Sequence, residues 1–191
     1  MQHTKPALLA AVAMFCGLGG CATPATGIGG TYYAPQYDFG EFYAVTNGRT
    51  FRVEISGNPF PGMTQEEMER RLLPVMQANK PQSNLTFTYA KPAEEQRPDY
   101  RLVLVFDAAN DLSAARVCAN QIRHKSARTR PFDLFAVYCR NDLDLSQSTA
   151  WTPATSPEDP RVGDLFSHLF MVVFNPFKRP EPRPFPFIRP W

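Results

Sequence analysis

Few residues in this chain have the chemistry of a catalytic site. Beyond residue 20 the histidines are His124 and His168. His168 follows Asp164 by four residues, the spacing at which helix side chains pair, so we expect an exposed helix histidine. His124 lies among basic residues, which favours a solvated loop histidine. Because the sequence also lacks a nucleophile-elbow serine motif, a His-Glu-x-x-His zinc motif and a phosphate-binding glycine loop, we expect no catalytic residue and no cofactor.

Cysteine chemistry is more informative, beginning with Cys21. One positive charge at Lys5 precedes an apolar run over residues 7–18, and Gly19-Gly20 leads into the cysteine. A charged start followed by about a dozen apolar residues has the proportions of a secretory signal and is too short to span a bilayer. The sequence therefore predicts a signal peptide over residues 1–20.

The run Leu18-Gly19-Gly20-Cys21 resembles, position by position, the lipobox of bacterial lipoprotein precursors. In that family the cysteine sulfur receives a diacylglycerol, signal peptidase II cleaves before the cysteine, and the new amine is acylated. The resemblance implies lipidation of Cys21 and a stable membrane anchor, since several acyl chains are buried. Ala22 in place of aspartate implies sorting to the outer membrane, facing the periplasm. The alternative is an ordinary secretory signal cut at a later position, which gives a soluble periplasmic protein.

Cys118 and Cys139 remain once Cys16 is removed with the signal and Cys21 is acylated. In an oxidising compartment this pair predicts a disulfide, which would close a loop of about 22 residues and stabilise the fold by roughly 3 kcal/mol. The alternative is two buried free thiols. The spacing lacks the paired ligands of a zinc site, so we expect no metal.

Residues 112–131 contain basic side chains and no acidic one. The basic residues are Arg116, Arg123, Lys125, Arg128 and Arg130. Such a cluster attracts anionic head groups, lipopolysaccharide phosphates or an acidic partner. The alternative is a solvated loop whose charge keeps it soluble. The whole chain has a net charge of +2, which is no signature of nucleic-acid binding, and we expect no nucleic-acid partner.

Residues 176–191 combine recurrent proline with apolar and basic side chains. Proline favours the extended polyproline II form, which binds aromatic-lined grooves with little loss of entropy. Phe185, Phe187 and Trp191 are the predicted apolar anchors of this tail. The alternative is a tail that packs over its own domain and buries Trp191.

The elements that must position these residues lie between residues 48 and 175. Period-two or apolar runs predict strands at 49–56, 85–89, 100–106, 132–139 and 143–151. Thr64 with Glu67 forms a capping box that starts one helix. Asp159 with Pro160 starts a second helix that ends before Pro176. The order β-α-β-β-β-β-α predicts a single small α+β domain, with two helices on a mostly antiparallel sheet of four to five strands.

Residues 21–47 are rich in Gly, Thr, Pro and Tyr without periodicity, so they are predicted to be a lipidated N-terminus and flexible tether. Anchor, tether, domain and tail together predict an outer-membrane lipoprotein that binds another envelope component, a protein, without catalysis. Two alternatives stay open. One is an envelope hydrolase, and the other is a binder of anionic lipid or lipopolysaccharide through residues 116–130.

Overall fold

The computed structural model describes residues 26–91 and 99–178, which form an α+β domain around one sheet. The strands in this part of the chain are β1 (Gly27–Tyr33), β2 (Thr50–Ser56), β3 (Thr86–Thr88), β4 (Tyr100–Phe106), β5 (Phe132–Arg140) and β6 (Leu143–Thr152). The helices are α1 (Phe39–Thr46), α2 (Gln65–Ala78), α3 (Ala114–Cys118) and α4 (Pro160–Val173). All five predicted strands and both predicted helices are present, whereas β1, α1 and α3 were not predicted.

The sheet has the strand order β1-β6-β5-β4-β2-β3. The pairs β1–β6, β6–β5 and β5–β4 are antiparallel, and β2 pairs in parallel with both β4 and β3. The parallel half arises because α2 carries the chain back across the sheet between β2 and β3. The expectation of a mostly antiparallel sheet therefore fits roughly, since three of these five pairings are antiparallel, but the sheet is mixed and has six strands in the described residues.

The first face of the sheet is covered by α1, α2 and α4. β2 directs Phe51 and Val53 into this core, where both side chains are buried. Phe42 of α1 stacks on Phe174 with ring centroids 4.1 Å apart and meets Phe51 and Tyr138 edge-on. Offset and edge-to-face contacts of this kind add to the stabilisation that burial of the rings supplies.

Among the described residues, the second face is covered only in its centre, by α3 and the chain around it. Val103 and Val105 of β4 meet Val117 of α3 and Val137 of β5 in a smaller buried cluster. On β2 the side chains that alternate with the core residues are polar. They are the half-buried residues Arg52, Glu54 and Ser56. The period-two pattern of β2 thus separates an apolar first face from a polar second face.

The prediction of a flexible tether over residues 21–47 is wrong for residues 27–46, which belong to the folded domain. β1 pairs along β6, and α1 buries Phe42 in the core. The sequence shows no periodicity here because glycine replaces apolar side chains beneath Trp151. A Cβ on Gly27 would lie 2.2 Å from the indole ring, and one on Gly29 would lie 3.4 Å from it. The folded domain therefore includes this segment, well before the predicted start at residue 48.

Candidate functional site

Cys118 and Cys139 lie at disulfide distance, with their sulfur atoms 2.00 Å apart. This confirms the predicted pairing. Both residues are fully buried, and the bridge joins the end of α3 to β5. It fastens α3 and the following loop to the second face.

Arg101 of β4 reinforces the same region. Its side chain is buried, and its guanidinium donates to the carbonyl oxygens of Cys118 at 2.5 Å and of Asn141 at 2.9 Å. Carboxylate oxygens of Glu54 and Asp99 lie 3.4 and 3.3 Å from its nitrogens. A buried cation requires such partners, so we assign this cluster a structural role.

The basic residues of segment 112–131 are mostly paired with carboxylates that lie outside the segment. The pairs are Arg123–Asp111 at 2.7 Å, Lys125–Asp133 at 2.5 Å and Arg128–Asp107 at 3.0 Å. The first pair lowers the pKa of the Asp111 carboxyl below its ordinary value, chiefly through the hydrogen bond from Arg123. The charge is therefore largely balanced locally, which weakens the case for an anionic-lipid site.

Two of the predicted binding residues have different surroundings. The Arg130 guanidinium carbon lies 4.7 Å from the ring centroid of Trp151, a cation–π contact. Arg116 is exposed in the last turn of α3. The structure therefore places Arg123, Lys125, Arg128 and Arg130 in four separate contacts, while Arg116 is exposed.

The remaining predicted site residues, Cys21, Phe185, Phe187 and Trp191, lie outside the described residues. Within residues 26–91 and 99–178, no helix is long and apolar enough to cross a membrane. The same ranges contain no group of three or more His, Cys, Asp or Glu residues placed to hold a metal ion.

A groove of about 510 Å³ lies beside α3 on the second face, and we call it the α3 groove. Leu112 and Phe135 give it an apolar lining. Gln147 and Thr149 of β6 add polar side chains, and Tyr32 of β1 adds an aromatic ring that is 51% exposed. Its volume is within the range of sites that take small ligands or peptide side chains.

The α3 groove extends to the edge of the sheet. β1 is the end strand, and within the described residues no strand lies on its outer side. Gly30, Thr31 and Tyr32 of β1 are exposed at this point. An edge strand offers backbone donors and acceptors to an added strand, so apolar contact and backbone pairing are both possible here.

Ser56 and His124 form a second cluster, where the parallel strands β2 and β4 end. Ser56 Oγ lies 3.1 Å from His124 Nε2, and His124 Nδ1 lies 2.8 Å from the carbonyl oxygen of Phe106. Because a carbonyl oxygen only accepts, Nδ1 carries a hydrogen, and in the neutral ring Nε2 therefore accepts from the serine hydroxyl. The His124 ring is exposed, as expected. Sequence reasoning did not predict that hydrogen bonds to Ser56 and Phe106 would orient both of its nitrogens.

Backbone conformation allows the close approach of the histidine ring. Gly57 has φ +87°, and a Cβ there would lie 3.0 Å from the Phe106 carbonyl oxygen and 3.1 Å from His124 Cε1. Asp107 also has a positive φ, +50°, although it is not glycine. Glycine adopts a positive φ without steric cost, whereas for Asp107 it costs free energy, and such residues are often found at functional sites.

Arg128 connects the two strand ends. It donates to the Asp107 carboxylate and to the carbonyl oxygens of Asn58 and Pro59, at 3.0, 2.7 and 2.8 Å. The Arg128–Asp107 ion pair is therefore fixed at the loop that follows Ser56. The other predicted histidine, His168, is exposed on α4.

Comparison with protein-family models, with curated proteins and with solved structures gave no match. The function therefore has to be inferred from the two sites, the α3 groove and the Ser56–His124 cluster.

Proposed function

We propose that the protein is a lipoprotein of the outer membrane that binds another envelope protein in the α3 groove. Lipid on Cys21 holds it at the periplasmic face, as the lipobox resemblance implies. The α3 groove is the observation that carries the binding proposal. An apolar lining and an exposed tyrosine ring meet there, beside a strand edge that no other strand in the described part of the chain pairs with.

The occupant we propose is an extended peptide segment of the partner. Its backbone pairs with the outer edge of β1, and a side chain enters the apolar part of the groove beside Leu112 and Phe135. Backbone pairing supplies affinity, while the groove supplies specificity. The polar side chains of Gln147 and Thr149 accommodate the polar groups of the ligand.

The anchor places this surface close to the membrane. β1 begins at Gly27, so the chain between Cys21 and the sheet reaches at most about 20 Å when fully extended. Gly27 pairs with Trp151, which brings the Trp151–Arg130 contact to the same end of the domain. Tryptophan is favoured at membrane interfaces, so this end is suited to face the lipid.

Site-specific photocrosslinking tests the proposal, and two exposed tyrosines provide a matched pair. Tyr32 is 51% exposed beside the α3 groove, and Tyr43 is 46% exposed on α1. A photoreactive phenylalanine analogue replaces each in turn in living cells. We expect a discrete protein adduct from position 32 and none from position 43. The same adducts from both positions, or none from position 32, would overturn the binding proposal.

Cys21→Ser tests the anchor separately. We expect the variant to fold and to leave the membrane fraction. Retention in the outer membrane at high salt would contradict lipid anchoring. Retention that falls steeply with salt would instead indicate electrostatic attachment through residues 116–130.

A further inference from the structure

We infer that Ser56 is a nucleophile activated by His124, and that the domain cleaves carboxylic esters at this site. This activity is additional to binding in the α3 groove, and it uses different residues.

The hydrogen bonds define the role of each group. The Phe106 carbonyl accepts from His124 Nδ1 at 2.8 Å, which fixes the tautomer and turns the lone pair of Nε2 towards Ser56 Oγ at 3.1 Å. This is the reach and orientation that a general base needs for a serine nucleophile. The Phe106 carbonyl oxygen orients the base, a role that a carboxylate has in many serine hydrolases.

Access favours catalysis over a purely structural contact. His124 is exposed and Ser56 is half-buried, so a ligand can reach both side chains. Gly57, directly after Ser56, has no side chain to separate the ring from the strand end. Arg128 donates to the carbonyl oxygens of Asn58 and Pro59, which holds the loop that follows Ser56 in place.

A cavity on the loop that follows Ser56 indicates the class of substrate, although neither Ser56 nor His124 is part of its lining. It has a volume of about 460 Å³ and is lined by Pro59, Phe60, Met63 and Arg128 together with nearby residues. A mostly apolar lining suits the apolar acyl chain of an ester. Ser56 pairs with Val105 at the sheet end to which Gly27 also belongs, so the proposed anchor directs this site towards the membrane.

The reaction needs only water as co-reactant. Ser56 Oγ attacks the ester carbonyl carbon while its proton moves to His124 Nε2. The bond to the alcohol oxygen breaks, and the alcohol leaves with the proton from Nε2, which leaves an acyl ester on Ser56. Water then attacks that ester, passing a proton to Nε2, and the serine oxygen regains a proton as the carboxylic acid departs.

A fluorophosphonate probe tests the nucleophile, because it reacts covalently with activated serine hydroxyls. The full-length protein is purified in detergent and labelled, and the modified peptide is identified by mass spectrometry. We expect one label on Ser56 and none in Ser56→Ala. Ser83→Ala, which removes an exposed serine elsewhere, should label like the wild type. A folded wild-type protein that stays unlabelled, or is labelled equally in Ser56→Ala, would overturn the inference.

His124→Asn tests the base. The asparagine amide keeps a donor near the Nδ1 position, so the link to Phe106 is retained while the base is removed. We expect labelling at least about 100-fold slower with little change in the thermal unfolding midpoint. His168→Asn is the matched control and should label at the wild-type rate. An equal rate in His124→Asn would show that Ser56 does not use this histidine. Either failure leaves the crosslinks from position 32 unaffected, so the two proposals are tested independently.

Discussion

The two faces of the sheet are built from different kinds of contact. The first face is covered by three helices and packed with aromatic rings. The second has a small apolar centre, held by a disulfide and a buried arginine, with polar side chains and open grooves around it. β2 shows the contrast within one strand, since Phe51 and Val53 enter the core while Arg52 and Ser56 lie on the other side.

This difference indicates that the first face mainly stabilises the fold, whereas the second face presents the groups that are accessible to ligands. Burial of apolar area dominates folding free energy, so the first face should contribute most of it. The second face needs covalent and ionic links because it leaves polar groups accessible. The α3 groove and the Ser56–His124 cluster both lie where that cover is incomplete.

Phe42→Ala should give the largest effect. The ring stacks on Phe174 and contacts Phe51 and Tyr138, so its removal leaves a cavity in the first face. We expect a loss of about 3–5 kcal/mol in the free energy of unfolding, measured by chemical denaturation. Tyr43→Ala, next in sequence but exposed, should change stability by less than about 0.5 kcal/mol. Equal effects would mean that α1 is not part of the core.

The double variant Cys118→Ala and Cys139→Ala should come next. It removes the link between α3 and β5, and we expect a loss of about 3 kcal/mol, again from denaturation midpoints. A reducing agent should lower the stability of the wild type by a similar amount and leave the double variant unchanged. Wild-type stability that does not respond to reduction would contradict a stabilising bridge.

Alkaline pH should weaken the first face selectively. Burial, and then a hydrogen bond to Glu41, raise the pKa of Tyr100 to about 12, and burial also raises the pKa values of Tyr37 and Tyr138. The unfolded chain loses these protons near pH 10, so their contribution is complete below pH 10 and is lost as pH rises towards 12. We expect Tyr100 alone to account for a decrease on the order of 2 kcal/mol, so the loss of stability with pH should be shallower in Tyr100→Phe. An identical pH profile for Tyr100→Phe would contradict this.

Tyr138→Phe should have the smallest effect, and it should stabilise. The Tyr138 hydroxyl is buried and has no hydrogen-bond partner among residues 26–91 and 99–178, which costs free energy. We expect a gain of about 1 kcal/mol, seen as a higher thermal midpoint. Tyr37→Phe is the control and should lower the thermal midpoint, because the Tyr37 hydroxyl donates to the Asn175 carbonyl at 3.0 Å. A destabilised Tyr138→Phe would reveal a partner for that hydroxyl.

Local sequence signals predicted the elements well. Thr64 accepts from the Glu67 amide at the start of α2, and Asp159 caps α4 ahead of Pro160, both as the residue types require. The alternation of β2 and the apolar run of β4 also gave the correct strands. These signals depend on neighbours within a few residues, which a sequence displays directly.

Contacts between distant residues were not predictable in the same way. β1 lacks apolar alternation because Trp151, far along the chain, covers its glycines. The carboxylates that pair with Arg123 and Arg128 lie outside the basic segment. Ser56 and His124 are 68 positions apart, and only the fold of the parallel half brings them together. Sequence reasoning therefore missed the alignment of the candidate site while describing most of the elements that build it.

The packing of Trp151 against β1 also provides an optical reporter. The chain has two tryptophans, so Trp191→Phe leaves a single indole, which lies between the glycines of β1 and the Arg130 side chain. Indole emission depends on local polarity, and separation of β1 from β6 would expose the ring to water. The emission of this variant would therefore show, without any added label, whether the first strand stays in the sheet when the protein meets a membrane or a partner.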